Sequence, residues 1–320
     1  MKILITGSRG FIGTHLANAL TEMGHEVIHY DLKDGNDILN LKNLKERGKG
    51  IDGIVDLAAV QRNITGFYYP FKTIENNIMG LSNVLQLALE NNAFLLFSSS
   101  KSVYGKPEKV PVKEGDAKNP LNIYSLSKVV SEMIIRDFCK NYKLRAVVVR
   151  FSTVFGSEKD ILDRVIPTYM YKAIHNIDFI VRDPDRVVDP TFIDDVIPLL
   201  VKIFEMLKDR EEGFFDDYNI VSMHPVKIRE IAEMIIKITS SKSEIVKTLE
   251  GRTYDYGNFY GDYSKIKKFF GFKPTSFETA MKIYYKRFLD ALKNKVFSKE
   301  EIDYMLSYYE RLKEKEKISL

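Results

Sequence analysis

A doubly wound α/β fold, a parallel sheet with helices on both faces, is predicted by three observations. Apolar, β-favouring runs alternate with amphipathic helical segments through the first half of the chain. The first run, Met1-Lys2-Ile3-Leu4-Ile5-Thr6, passes at once into Gly7-Ser8-Arg9-Gly10-Phe11-Ile12-Gly13, which reads as strand, glycine loop and helix. The next run, His25 to Tyr30, ends in Asp31. Glycines let a backbone turn tightly and approach a pyrophosphate, and the N–H groups opening the following helix attract that anion. An acidic side chain about twenty residues on can accept hydrogen bonds from an adenosine ribose. Together they predict a Rossmann-type sheet that binds a dinucleotide.

Taken in order, strands are predicted at residues 2–6, 25–30, 53–57, 94–98 and 145–151, each a short apolar run. Helices are predicted between them at 11–23, 75–91 and 122–140 from apolar residues at helical spacing. The pattern becomes irregular after Gly156, and apolar runs return at 194–207 and 217–222. This weaving predicts a dinucleotide-binding domain over 1–156, with return segments at about 187–222. A smaller C-terminal substrate lobe is expected from 157–186 and 223–320. Ser298-Lys299-Glu300-Glu301 is a capping box, followed by Ile302, Met305, Leu306, Tyr309 and Leu312 at helical spacing. An amphipathic helix docked on its own lobe is expected there.

The chain of 320 residues is 45% apolar, which is globular rather than disordered. A formal charge of +4, from 48 basic and 44 acidic residues, is too small to argue for a nucleic-acid partner. The single cysteine, Cys139, allows no internal disulfide and agrees with a reducing cytoplasm. It sits in an apolar helical pattern and is read as a buried structural residue. No apolar run reaches membrane-spanning length, and the N-terminus has neither a basic lead beyond Lys2 nor a cleavage site. A cytoplasmic protein without a membrane partner or a metal site is expected.

The most informative chemistry lies in Tyr124-Ser125-Leu126-Ser127-Lys128, shortly after Phe97-Ser98-Ser99-Ser100-Lys101-Ser102-Val103-Tyr104-Gly105. Residues i and i+4 share a helical face, so Lys128 is expected beside Tyr124. A free tyrosine titrates at about 10, and a neighbouring cation favours the phenolate. The pairing makes a general base. A tyrosine four residues before a lysine is common by chance, so the surrounding motifs carry the weight.

Together these residues resemble the extended short-chain dehydrogenase/reductases, the NAD-dependent epimerase/dehydratase group that holds nucleotide-sugar epimerases, dehydratases and reductases. The likeness runs along nearly the whole chain. In that family the glycine loop reads T-G-x-x-G-F-I-G, as Thr6 to Gly13 does. The resemblance implies cofactor contacts from Gly7, Arg9, Gly10, Phe11, Ile12, Gly13, Asp31, Asp37, Ile38, Leu57, Ala58, Ala59 and Asn77, and from Tyr124 and Lys128. Ser100, counted back from Val103-Tyr104-Gly105, is the hydroxyl expected to partner the tyrosine. Pro120, Arg150, Phe192-Ile193-Asp194-Asp195-Val196 and Gly271-Phe272-Lys273-Pro274 also stand in family order.

The resemblance implies Ser100, Tyr124 and Lys128 as the catalytic group and a nucleotide-diphosphate sugar as substrate. Arg252-Thr253-Tyr254-Asp255, placed before Asp262-Tyr263-Ser264-Lys265, has the family spacing for holding the nucleotide. Ser100, Thr153, Arg186, Arg252 and Asp255 are the expected substrate contacts. The chain departs from the pattern at Thr153, where an asparagine is common, at Val188, where an arginine often reaches the pyrophosphate, and at Asp56, which replaces a frequent histidine. Asp31 favours NAD, because it would repel a 2′-phosphate; Arg9 and Lys33 argue in the other direction, for NADP. The 4,6-dehydratases carry an Asp-Glu pair after the serine or threonine, and here the pair is Lys101-Ser102. Neither is a carboxylate. An epimerase acting at C4 is therefore expected, with a reductase or dehydrogenase as alternative and a silent dinucleotide sensor as a third reading. Related enzymes commonly dimerise through the tyrosine helix, so a homodimer is expected.

Overall fold

A computed structural model describes residues 1–252 and 255–307. The chain divides into two compact units. The first comprises Met1–Val154, Val188–Pro225 and Arg252–Pro274; the second comprises Phe155–Val187, Val226–Gly251 and the chain from Thr275.

The first unit is built on a six-stranded sheet. Its strands are β1 (Lys2–Thr6), β2 (Glu26–Tyr30), β3 (Gly53–Asp56), β4 (Phe94–Ser100), β5 (Ala146–Phe151) and the strand Phe215–Ile220. In space they run Phe215–Ile220, β5, β4, β3, β1, β2, and every pair is parallel. The five strands expected from the sequence are all present. Ile3, Leu4 and Ile5 of β1 and Val147, Val148 and Val149 of β5 are wholly buried. Such continuous apolar runs suit strands covered on both faces, and each side chain contributes about 1.5–3 kcal/mol by leaving water. Chain order reverses between β1 and β3, and the crevice at the carboxyl ends of strands flanking such a point is where α/β sheets bind ligands. Thr6 ends β1 opposite both Tyr30 and Asp56, so the glycine loop and the residues after β3 meet there.

Two helices matter most to the site. Helix α1 (Phe11–Glu22) leaves the glycine loop and buries Leu16, Ala17 and Leu20 against the sheet. The helix Ile123–Tyr142 is started by Asn122, whose side chain accepts from Ser125 N in a capping box, and it buries Ser127, Lys128, Ser131, Glu132, Ile135 and Cys139. The helix expected at 75–91 is more irregular: Pro70–Ile74 runs into a widened π-type turn at Glu75–Met79, and Gly80–Asn91 continues as α-helix. Such wide turns recur at functional sites.

One boundary differs from the sequence expectation. Arg252–Pro274, expected in the smaller lobe, belongs to the first unit. The contacts that tie it there are polar and join residues distant in the sequence. Lys265 Nζ donates to Asp216 Oδ1 at 2.6 Å and to the Asp217 carbonyl at 2.6 Å, and Gly261 N donates to buried Asp189.

The second unit packs helices Val165–Ile174, Ile228–Thr239 and Phe277–Lys293 with the parallel strand pair Phe179–Arg182 and Ile245–Leu249. Tyr169 stacks on Phe179 at 4.9 Å between ring centroids. The capping box at Ser298 and Glu301 starts the helix Lys299–Leu306; Tyr309 and Leu312 lie outside the described residues. Among the described residues, no helix is long and apolar enough to cross a membrane.

Candidate active site

The glycine loop is compressed in a way only glycine tolerates. Gly7 has φ +66°, and a Cβ there would lie 2.9 Å from Ala58 N. A Cβ on Gly13 would lie 2.2 Å from Gly7 O. Gly10 caps α1 without a side chain, so the first helical N–H groups, of Phe11, Ile12 and Gly13, face the loop with no side-chain acceptor from the cap. Thr6 Oγ1 ties the floor together: it donates to Asp56 Oδ1 at 2.5 Å and accepts from Leu57 N and Ala58 N at 3.1 Å each. This cradle and the anion-attracting helix start fit the diphosphate of a dinucleotide.

Asp31 is held beside the loop. Its Oδ2 accepts from Arg9 N and its Oδ1 from Lys33 N, both at 2.9 Å. A carboxylate offers about four lone-pair sites, so capacity remains for ribose hydroxyls. The Arg9 guanidinium donates through Nε to Asp34 at 2.7 Å. That pairing offsets the cation that would otherwise attract a 2′-phosphate. Asp37 accepts from Leu39 N, and Ile38 is buried against Gly80. Asn77 is engaged within the protein: Val60 N donates to its Oδ1 at 2.8 Å, and its Nδ2 donates to Val60 O at 3.1 Å and Ser127 Oγ at 2.9 Å. Asn77 thus clips the segment after Ala59 to the tyrosine helix.

Tyr124 and Lys128 share a face of that helix, as the spacing predicts. Lys128 is 2% exposed; its Nζ donates to the Ser98 carbonyl at 2.7 Å and lies 4.6 Å from the Phe97 ring centroid. Burial pushes its pKa down to about 8, while Asp56 and Glu132 pull it upward. The ammonium is charged below that pH and neutral above it. Between about 8 and the unfolded lysine value near 10.4 the unfolded chain binds the extra proton, so this residue makes the fold more stable as pH rises there. Turnover is therefore expected to fall above about pH 8 without unfolding, and Asp56→Asn should shift that limb to lower pH. A pH profile of kcat/KM beside a denaturation curve checks this. An unmoved limb in Asp56→Asn would contradict it.

Two residues that the sequence does not single out, Gly66 and Glu132, hold the tyrosine helix. Gly66, in the helix Asn63–Tyr68, lies so close that a Cβ would stand 2.7 Å from Tyr124 N and Cβ. Glu132, one turn beyond Lys128, accepts from Arg150 Nε at 2.8 Å and Nη2 at 2.9 Å and from Ser99 Oγ at 2.5 Å. Arg150 also donates to Asp217 at 2.6 Å and to Tyr104 OH at 2.9 Å. Ser102 bonds Ser100. The four-residue spacing from Lys128 to Glu132 was a signal for the second; nothing in the sequence flags Gly66.

Ser100 ends β4 and caps the turn Lys101–Tyr104. Lys101 is buried, and its Nζ donates to Thr153 Oγ1 at 2.8 Å and lies 4.3 Å from the Tyr256 ring centroid. Asp255 N donates to Arg252 O at 3.1 Å, and Arg252 N donates to Asp255 Oδ2 at 3.4 Å. Thr253 and Tyr254, between them, lie outside the described residues. The first unit thus holds Ser100, Tyr124, Lys128, Thr153, Arg252 and Asp255. Arg186 belongs to the second unit, on the turn before Val187–Val188, with its Nε 3.5 Å from Asp183 Oδ2.

Residues 3–220 match the model of the NAD dependent epimerase/dehydratase family. The chain belongs to that family. It is accordingly an enzyme of a family that works with NAD, the cofactor its glycine cradle and Asp31 fit. It is similar to the UDP-glucose 4-epimerase of Lactobacillus helveticus, 26% identical over 310 residues that cover 86% of this chain and 92% of the other. It is equally similar to the UDP-N-acetyl-alpha-D-glucosaminuronate decarboxylase of Bacillus cytotoxicus, 27% identical over 312 residues, 88% of this chain and 95% of the other. Among solved structures, the UDP-glucuronic acid 4-epimerase of Bacillus cereus, in complex with UDP-glucuronic acid and NAD, superposes with a TM-score of 0.82. Its identity is 25%, covering 91% of this chain and 99% of that one. Family members at the same distance catalyse different reactions, so the reaction has to be argued from the residues.

Proposed function

We propose that this protein is a nucleotide-sugar epimerase acting at C4 of the sugar through bound NAD, which is unchanged overall. The observation that carries the reading is the pair after Ser100. Lys101 and Ser102 are both buried and neither is a carboxylate, so the acid and base that would expel water or remove a carbon-bound proton are missing at that position.

The glycine loop and Asp31 would hold NAD, which would supply a reversible hydride acceptor for C4. Tyr124, as phenolate, takes the proton of the C4 hydroxyl as the carbon loses hydride, so the alcohol becomes a ketone with charge and atoms balanced. Ser100 donates a hydrogen bond to that oxygen as charge develops on it. Lys128 keeps a positive charge under the phenol. Once the keto-sugar has turned over in the site, so that the cofactor's hydride would be returned to its other face, Tyr124 gives the proton back to the oxygen, leaving the C4 epimer. Arg252, Asp255 and Thr153, all in the first unit, hold the nucleotide diphosphate in this reading; a guanidinium suits a pyrophosphate because its fork donates paired hydrogen bonds.

A homodimer is part of the proposal. The tyrosine helix leaves Met133 67% exposed and the neighbouring helix Pro70–Ile74 leaves Phe71 85% exposed, which supports an apolar face for a second copy. A monomeric mass by light scattering would remove this part. The experiment for the function is a panel of uridine, thymidine and guanosine diphosphate sugars incubated with NAD-loaded protein and followed by proton NMR. Interconversion of a C4 epimer pair with no net change in cofactor is expected. Net cofactor consumption would favour a reductase or dehydrogenase, and no turnover of any sugar would favour a dinucleotide sensor.

A further inference from the structure

The hydroxyl of Ser100 is not left to rotate. Its Oγ accepts from Ser102 N at 3.2 Å and lies 2.8 Å from Ser102 Oγ, and Ser102 is 4% exposed. A serine hydroxyl has one proton and two acceptor sites. If the Ser102 hydroxyl donates, both acceptor sites of Ser100 are filled from within the protein, and the Ser100 proton is directed outward. Were the bond reversed, Ser100 would give its only proton to Ser102 and have none for a substrate oxygen.

We propose that Ser102 is a positioning residue that fixes the Ser100 hydroxyl as a hydrogen-bond donor to the reacting sugar oxygen. The inference rests on the reading of Ser100 as the hydroxyl that touches that oxygen. The turn itself does not need the Ser102 side chain, because Ser102 N bonds Ser100 Oγ and Gly105 N donates to Ser102 O at 3.1 Å. The side chain therefore supplies orientation and polarisation. A chain of hydroxyls running Ser102 to Ser100 to substrate strengthens along its length in a water-free site, and its strength is greatest when the substrate oxygen carries developing charge. The effect belongs in kcat and not in substrate or cofactor affinity.

The test is a double-mutant cycle on Ser100→Ala, Ser102→Ala and the pair, with Ser102→Thr as the conservative variant. Each is assayed for kcat and KM on one sugar nucleotide, beside a cofactor titration. Ser102→Ala should lower kcat by about tenfold, the scale of one lost hydrogen bond, with KM and cofactor affinity within about twofold. Ser102→Thr should restore kcat, and the double variant should be no slower than Ser100→Ala, since Ser102 acts only through Ser100. Wild-type kcat in Ser102→Ala, or losses that multiply in the double variant, would overturn the inference while leaving Ser100 in its role. Wild-type turnover in Ser100→Ala would instead overturn the reading on which it rests. Should Ser102→Ala fail to bind cofactor, Ser102→Cys, of nearly the same size but a weak donor, carries the same expectations.

Discussion

Tyr124→Phe is expected to lower turnover by about 10²-fold or more, the usual scale for a general acid–base group. The substitution keeps the ring and the Cβ that sits against Gly66 and removes the oxygen that takes and returns the proton. Helix Ile123–Tyr142 is started by Asn122 and Ser125 and not by the phenol, so folding and cofactor affinity should stay as in the parent. Turnover is read by sugar-nucleotide assay and cofactor affinity by titration. Near-normal turnover would remove the proposed base.

Glu132→Ala should cost about 3 kcal/mol or more of stability, as expected when one partner of a buried ion pair is deleted. Arg150 is 1% exposed and is bound bidentately by Glu132. Its pKa is raised: burial acts to lower it, and Glu132, Tyr104 and Asp217 more than offset that. It therefore stays charged, and without Glu132 the carboxylate left against it among the described residues is that of Asp217. The consequence extends to catalysis, because Glu132 joins the tyrosine helix to β4 through Ser99 and to β5 through Arg150. Urea denaturation of the variant checks the first effect. A loss below about 1 kcal/mol would show that the pair is not holding the helix.

The sheet was legible because its strands are apolar runs that few other structures accommodate, as Ala146–Phe151 illustrates with three successive valines. The glycine loop and Asp31 were legible for a related reason: tight turns and anion contacts restrict which residues fit. Ser100, Tyr124 and Lys128 are expected as the reacting group from spacing and resemblance, a proposal that the variants above put to the test. What stayed hidden depends on contacts between distant residues. Asn63–Tyr68, with Thr65 and a glycine inside six residues, has no helical pattern to read, and Gly66 makes sense only once Tyr124 is placed against it. The widened turn at Glu75–Met79 shifts the helix register so that Asn77 reaches Val60 and Ser127, a demand set by segments on either side. Arg252–Pro274, expected in the smaller lobe, groups with the first unit, where Lys265 bonds Asp216 and Asp217 some fifty residues away, a pairing with no local signature. The Lys128 ammonium, expected beside the phenol, is anchored to the Ser98 carbonyl, a contact between helix and strand with no local signature.

In the proposed cycle the hydrogen on C4 leaves and returns as hydride within one site, while only the oxygen-bound proton exchanges through Tyr124. The most direct measurement is epimerisation of a sugar nucleotide in D2O by the NAD-loaded protein, with the product read by proton NMR and mass. The account predicts inversion at C4 with no deuterium on any sugar carbon and no net change in cofactor. Deuterium at a sugar carbon of the epimerised product would contradict it, because it would show inversion by carbon deprotonation rather than by oxidation and re-reduction.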